Sequence, residues 1–222
     1  MSSGLQKQIN IYFQNILSAQ YDVSRDIDHK LTKGELREQF IKWIISEEYP
    51  YHLLKRGIVV CDEWQSPQND FIWLKNNARV GRLNIYDVND VSLVMEIKST
   101  AQTTEINALD EKAKLLKDKC ADKENLKVGM FCYSSRAKKQ TVIDKFGFRY
   151  EKDIDAFKEY EYKLDLYHNI DFFFSLDICG EASPYFIFRG NERQDAEDDH
   201  PVKKNLRYVK SPVIDSFLMM FK

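Results

Sequence analysis

The sequence has no long apolar run, no surplus of one charge and no paired metal-ligand spacing. Each absence removes a class of function. No stretch approaches the roughly 20 apolar residues that cross a bilayer, and the opening Met1-Ser-Ser-Gly lacks the apolar core of a signal peptide. A cytoplasmic protein without a membrane partner is the expectation. Charged residues make up 31%, but the signs nearly cancel, leaving a net charge of -2. Proteins that bind nucleic acid through bulk charge are strongly cationic, so any such contact here has to come from a local basic patch or a bound cation. Cys61, Cys120, Cys132 and Cys179 form no C-x-x-C pair, which leaves an all-cysteine zinc site without support. Three of them sit in or beside apolar runs and read as buried thiols in a reducing setting. His29, His52, His168 and His200 are scattered, with no i, i+4 pair, so a histidine metal site is not expected. Repeats and low-complexity blocks are missing as well.

What is present suits one α/β domain. The 222 residues are 43% hydrophobic, enough to bury a core. The pattern divides into a core at about 25–150 and a C-terminal extension at about 151–222. Residues 5–18 carry Ile9, Phe13 and Ile16 on one helical face. Thr32 and Glu35 match a capping box ahead of Leu36, Phe40, Trp43 and Ile44, and Pro50 ends that helix. Strands are expected at 57–61, 71–74, 92–98 and 126–133. Between the last two a helix begins at Thr104, with Ile106, Leu109, Ala113 and Leu116 as its apolar stripe. That strand-helix-strand order implies a right-handed parallel crossover. Further helices are expected at 137–146 and 154–167, strands at 171–179 and 185–189, a polar exposed loop at 191–205 and a short apolar helix at 212–221. The sum is a mixed central sheet of about five or six strands flanked by helices.

The chemistry concentrates on Glu96-Ile97-Lys98, at the end of an apolar strand. Strand alternation puts Leu93, Met95 and Ile97 on one face and Glu96 and Lys98 together on the other, ~7 Å apart. A carboxylate and an amine there are costly to bury unless paired or bound, although a solvated ion pair at a strand edge has the same spelling. Asp70 stands directly before Phe71-Ile-Trp-Leu74. If these two strands pair, both carboxylates meet at one end of the sheet. Two carboxylates with a backbone carbonyl and water suit Mg²⁺, with Mn²⁺ as a substitute; a turn residue before a strand is the plain alternative for Asp70. Such a cation polarises a phosphate and acidifies a bound water, while Lys98 orients that water or stabilises developing charge.

Asp70 followed by Glu96-x-Lys98 resembles the PD-(D/E)xK nuclease superfamily, with Asn69 standing where the superfamily has proline. Over about residues 25–135 the likeness is closer. Gly34-Glu-Leu-Arg-Glu38, Ser66-Pro-Gln-Asn-Asp70 and Glu96-Ile-Lys-Ser99 resemble the GExRE, SxQxD and ExKS signatures of an uncharacterised bacterial nuclease-like domain family. The resemblance implies a restriction-endonuclease-like fold. It implies a catalytic set of Asp70, Glu96, Lys98, Glu35 and Gln68, and a metal held by Asp70, Glu96, the Ile97 carbonyl and Glu35. For Glu35 two readings stand open, a metal contact and completion of the Thr32 capping box. Arg37 and Glu38 are expected to pair with neighbours or solvent. Gln68 is a candidate for touching substrate or water.

Other features read more plainly. Lys112, Lys114, Lys117 and Lys119 interleave with acids and look like a solvated helix face. Arg136-Ala-Lys-Lys139 reads as a helix start or a small contact for a nucleic-acid backbone. Phe172-Phe-Phe174 and Tyr185-Phe-Ile-Phe188 suggest core or a dimer face, since no basic residues alternate with them. The functional expectation is a metal-dependent endonuclease, acting on DNA rather than RNA, in a phage-defence or restriction-type system, with a homo-oligomer or a partner protein. A catalytically silent binding or assembly subunit and an RNA-directed nuclease are the rivals.

Overall fold

The computed structural model describes residues 3–79, 83–151, 156–159, 166–178, 184–191, 204–209 and 213–221. Two helices, α1 (Ser3–Arg25) and α2 (Lys30–Glu48), pack against each other. Strands β1 (Leu54–Cys61), β2 (Trp64–Gln65), β3 (Asn69–Leu74), β4 (Ile85–Asp87) and β5 (Val91–Ala101) follow. Helix α3 (Thr103–Lys119) connects β5 to β6 (Lys127–Ser135), and α4 (Lys139–Lys145) comes next. The chain continues through β7 (Phe148–Glu151), β8 (Ala156–Glu159), β9 (Phe172–Ser175), β10 (Tyr185–Asn191) and β11 (Lys204–Val209), and closes with α5 (Val213–Leu218) and a 3₁₀ turn at Met219–Phe221.

Among the described residues one mixed sheet holds nine strands, in the order β11-β10-β9-β6-β5-β3-β1-β2, with β4 beside β1. The pairs β5–β6, β6–β9 and β1–β4 are parallel and the others antiparallel. The parallel β5-α3-β6 unit expected from the sequence is present. The sheet is larger than five or six strands because β2, β4 and β11 are short or polar. Such strands are held by a neighbour's backbone more than by their own pattern.

Alternation along β6 shows the layering. Phe131 and Tyr133 turn to one face, where they meet Phe217 of α5 and Tyr21 of α1. Met130 faces the other way and lines a cavity with Leu109 and Lys112 of α3. Helices therefore cover both faces, and the central strands β3, β5, β6 and β9 are largely buried. The aromatic runs are core: Phe174 stacks on Phe131 with centroids 5.0 Å apart and meets Phe217 at the same spacing. Gly129 makes the β6–β9 junction possible, since a Cβ there would lie 2.5 Å from the carbonyl oxygen of Phe172.

Several local expectations are corrected. Helix α2 begins before Thr32, with His29 as its N-cap; the Thr32 N–H donates to the His29 ring nitrogen at 3.3 Å, so Thr32 and Glu35 form no capping box. The box sits instead on α3, at Gln102 and Glu105 rather than Thr104, where the Gln102 N–H donates to Glu105 Oε2 at 2.8 Å. In place of the first half of a helix at 154–167 stands an antiparallel hairpin of β7 and β8. Phe148-Arg-Tyr-Glu151 alternates at period two, and Ala156-Phe-Lys-Glu159 is held as a strand by pairing with it rather than by a pattern of its own. Residues 152–155 and 160–165 lie outside the described residues, and Tyr167 is not helical. In the polar loop expected at 191–205, Asn191 and Lys204 are a strand pair; residues 192–203 lie outside the described residues. The short helix at the C-terminal end is present, and its Val213, Ile214, Phe217 and Leu218 are buried. Among the described residues no helix is long and apolar enough to cross a membrane. Cys61, Cys120 and Cys132 are free thiols, the last two buried; Cys179 is outside the described residues.

Candidate active site

The turn before β3 aims Asp70. Ser66 Oγ accepts the Val59 N–H at 3.0 Å and donates to the Pro67 carbonyl at 2.7 Å. Asn69 Nδ2 donates to the Gly57 carbonyl at 3.1 Å and to Ser66 Oγ at 2.9 Å. Asn69, fully buried, thus clamps the turn directly before Asp70. Antiparallel pairing of Phe71 with Met95 then sets Asp70 opposite Glu96, one step further along. Asp70 Oδ2 accepts the Ile97 N–H at 3.0 Å. The Asp70 and Glu96 carboxyl groups adjoin, each perturbing the other's ionisation. The second Glu96 contact is from Lys98 Nζ, 3.3 Å from Oε2, and the third is from Lys112 Nζ of α3, which donates to Oε1.

Burial, with the Glu96 charge beside it, pushes the Asp70 carboxyl above the ordinary range; the Ile97 N–H and Lys98 only partly oppose this. Glu96 moves the other way: burial raises it, but the Lys112 and Lys98 ammonium groups outweigh burial and hold it low. The two carboxyl groups therefore titrate as a pair, with the environment favouring charge on Glu96 more than on Asp70. For Lys98, burial disfavours the charge, yet Glu96 and Asp70 outweigh it and hold the amine protonated beyond its usual range.

A second layer of charges lies behind Asp70. Arg56 of β1 sits 3.7 Å from Glu35 Oε1 and 3.7 Å from Glu38 Oε2. With its amide oxygen turned toward Arg56, Gln68 accepts from Nε at 2.6 Å and Nη2 at 3.2 Å. Lys42 Nζ is 3.8 Å from Glu38 Oε2. Burial, then the Asp70 charge, raises Glu38; burial lowers Lys42.

The structure brings Asp70, Glu96 and Lys98 together at one point of the sheet. Gln68 lines the adjoining cavity and also holds Arg56. Glu35 stands apart on the outer side of Arg56, with its side chain 48% exposed. Glu38, one turn on, takes the inward position, and of the two expected settings it has neighbours, Lys42 and Arg56, rather than solvent. Arg37 is likewise buried: its guanidinium lies 4.2 Å above the Tyr21 ring and its Nε donates to Ser24 Oγ at 2.8 Å, tying α2 to α1. The lysine face of α3 is corrected too. Lys112 is committed to Glu96, and Lys117 lies 2.7 Å from Asp171 Oδ2. The signal for Lys112 was its place beside Ala113 and three residues after Leu109, on the flank of the buried stripe. For Glu38 it was the spacing to Ile41 and Ile45. Arg136 to Lys138 leads into α4, and Lys139 lies over the Tyr185 ring, 4.8 Å from its centroid.

A cavity of about 350 Å³ adjoins the cluster, lined by Gln68, Glu96, Lys98, Glu105 and Lys112 over an apolar floor of Pro67, Ala108, Leu109 and Met130. Two carboxyl groups in contact and largely buried need a proton or a cation between them, and all-oxygen donors fit a hard divalent ion. Among the described residues no group of three or more His, Cys, Asp or Glu side chains is placed to hold a metal. Asp70 and Glu96 would be the side-chain donors, with backbone, water or substrate oxygens completing the shell.

Among solved structures, the chain is similar to P. aeruginosa ATCC27853 NucC in its cAAA-bound form, with a TM-score of 0.64 at 12% identity over 96% of this chain and 87% of that one. E. coli MS115-1 NucC, also cAAA-bound, gives a TM-score of 0.63 at 11% identity over 97% and 89%. The chain has a NucC-like nuclease fold. The α/β class expected from the sequence, a mixed sheet flanked by helices, is thus the class found. At these identities the likeness is one of fold. No family model and no curated protein matches the chain.

Proposed function

We propose that the chain is a Mg²⁺-dependent endonuclease hydrolysing phosphodiester bonds in DNA, acting in the cytoplasm in a phage-defence or restriction-type system. The observation that carries this is the contact of Asp70 with Glu96, beside Lys98 and at the rim of a cavity, within a nuclease fold. When bound, the cation supplies a Lewis acid for the phosphate and an acidified water. Asp70 and Glu96 would hold it, with the Ile97 carbonyl as a further donor. Lys98, kept protonated by its two acidic neighbours, donates to an oxygen of the phosphate as charge builds there. A single such donor contributes about 3–4 kcal/mol of barrier reduction, against on the order of 8–23 kcal/mol overall. Gln68 and Arg56 steady the Asp70 side of the site, and Glu38 rather than Glu35 is the helix carboxylate facing it. The cAAA bound in the NucC structures supports a cyclic oligonucleotide as a ligand of this chain as well.

A second reading, the catalytically silent assembly subunit, has one observation in its favour: both Glu96 oxygens are occupied by lysines. Incubation of plasmid DNA and of RNA with the protein, in Mg²⁺, Mn²⁺ or EDTA and with or without cAAA, separates the readings. Metal-dependent DNA cleavage, lost in Lys98→Ala, is expected. Cleavage of RNA alone identifies an RNA-directed nuclease. An intact plasmid under every condition, from a folded protein, supports the silent subunit.

A further inference from the structure

Both oxygens of Glu96 are taken by ammonium groups of unlike origin. Lys98 lies two residues on in the same strand, so its contact is local. Lys112 reaches in from α3, and its side chain is only 14% exposed. A buried ammonium is costly without an anion, and Glu96 is that anion. A divalent cation bridging Asp70 and Glu96 needs Glu96 lone pairs and puts two positive charges next to Lys112. Like charges at that range in a shielded site repel strongly. Lys112 also lines the 350 Å³ cavity, which gives its flexible stem somewhere to go. That cavity is where a substrate phosphate must lie to meet Lys98.

We propose that Lys112 is a resident counter-ion: it holds Glu96 while the metal is absent and passes to a substrate phosphate when the cation takes that carboxylate. This rests on the nuclease reading above. It makes metal and nucleic acid bind cooperatively, since each vacates or fills the place the other needs, and the coupling is reciprocal. The free protein then binds metal weakly, which restrains cleavage until substrate is seated.

The test is Mn²⁺ binding by titration calorimetry to wild type, Lys112→Met, Lys112→Gln and Asp70→Asn, each alone and with a saturating duplex of non-hydrolysable linkages. Thermal melts establish that each variant is folded. Both Lys112 variants are expected to bind Mn²⁺ about tenfold tighter than wild type without duplex, a coupling of ordinary allosteric size. Duplex should tighten Mn²⁺ binding in wild type and leave the Lys112 variants nearly unchanged. Equal Mn²⁺ affinity in wild type and both Lys112 variants, with binding lost in Asp70→Asn, overturns the role of Lys112 while the cation site stands. No Asp70-dependent Mn²⁺ binding in any protein, with or without duplex, overturns both. A purely structural role for Lys112 would shift the melts and leave the Mn²⁺ affinities alone.

Discussion

Asp70 carries opposing demands. Its Oδ2 is fixed by the Ile97 N–H, while burial and Glu96 penalise its charge. An acid whose folded-state pKa lies above its unfolded value costs stability once ionised. The cost is absent below the unfolded value, grows between the two, and is complete above the folded value. Asp70→Asn keeps an acceptor for Ile97 and gives Glu96 a donor. It is therefore expected to stabilise the metal-free protein by about 1–2 kcal/mol at neutral pH, with the gain vanishing in acid below the ordinary carboxylate range. Denaturant unfolding with EDTA at the two pH values checks this; equal gains at both would show that charge is not the cause.

At the scale of elements, the strands that carry the site were legible and the contacts made between elements were not. Alternation along 92–98 put Glu96 and Lys98 on one face, and β5 has that arrangement. The motif around Ser66 and Asp70 was legible as residue types, but not the clamp by which Asn69 fixes the turn. Lys112, Arg56 and Glu38 escaped because their partners lie on other elements. Lys112 and Lys117 show why a lysine-rich helix is a poor guide to exposure: acids interleave with them in sequence, but their anions are on strands behind the helix. Lys117 pairs with Asp171, which is 2% exposed and accepts the Val128 N–H at 2.8 Å. That pair ties α3 to the start of β9. Lys117→Met leaves a buried carboxylate uncompensated and is expected to cost about 3–5 kcal/mol, measured by chemical denaturation. A loss below about 1 kcal/mol would mean that Asp171 is satisfied without the lysine.

Over the whole molecule, strands β9, β10 and β11 of the last third belong to the same sheet as the site. They extend it beyond β6, and Phe217 of α5 packs on Phe131, Phe174 and Phe186. Sequence patterning marked these runs as apolar but carried no sign of their sheet order, which depends on pairings of residues far apart in the chain. A chain ending at residue 151 uncovers Phe131 and the open edge of β6, a template for aggregation. It is expected to show no cooperative thermal transition, where the full chain shows one; a truncated chain with a sharp melt would mark an independent core. The α1–α2 pair frames the site, with Glu38 of α2 facing it, while the hairpin β7–β8 forms a sheet of its own.

The central claim is that Asp70, Glu96 and Lys98 form one metal-dependent hydrolytic centre. The most direct measurement is the single-turnover rate of supercoiled plasmid cleavage in Mg²⁺, for wild type and Lys98→Ala at matched fold and with cAAA present. The account predicts EDTA-sensitive cleavage that falls by about 10²–10³-fold in Lys98→Ala with an unchanged melting temperature. An equal rate in the two proteins, or cleavage indifferent to EDTA, would contradict it.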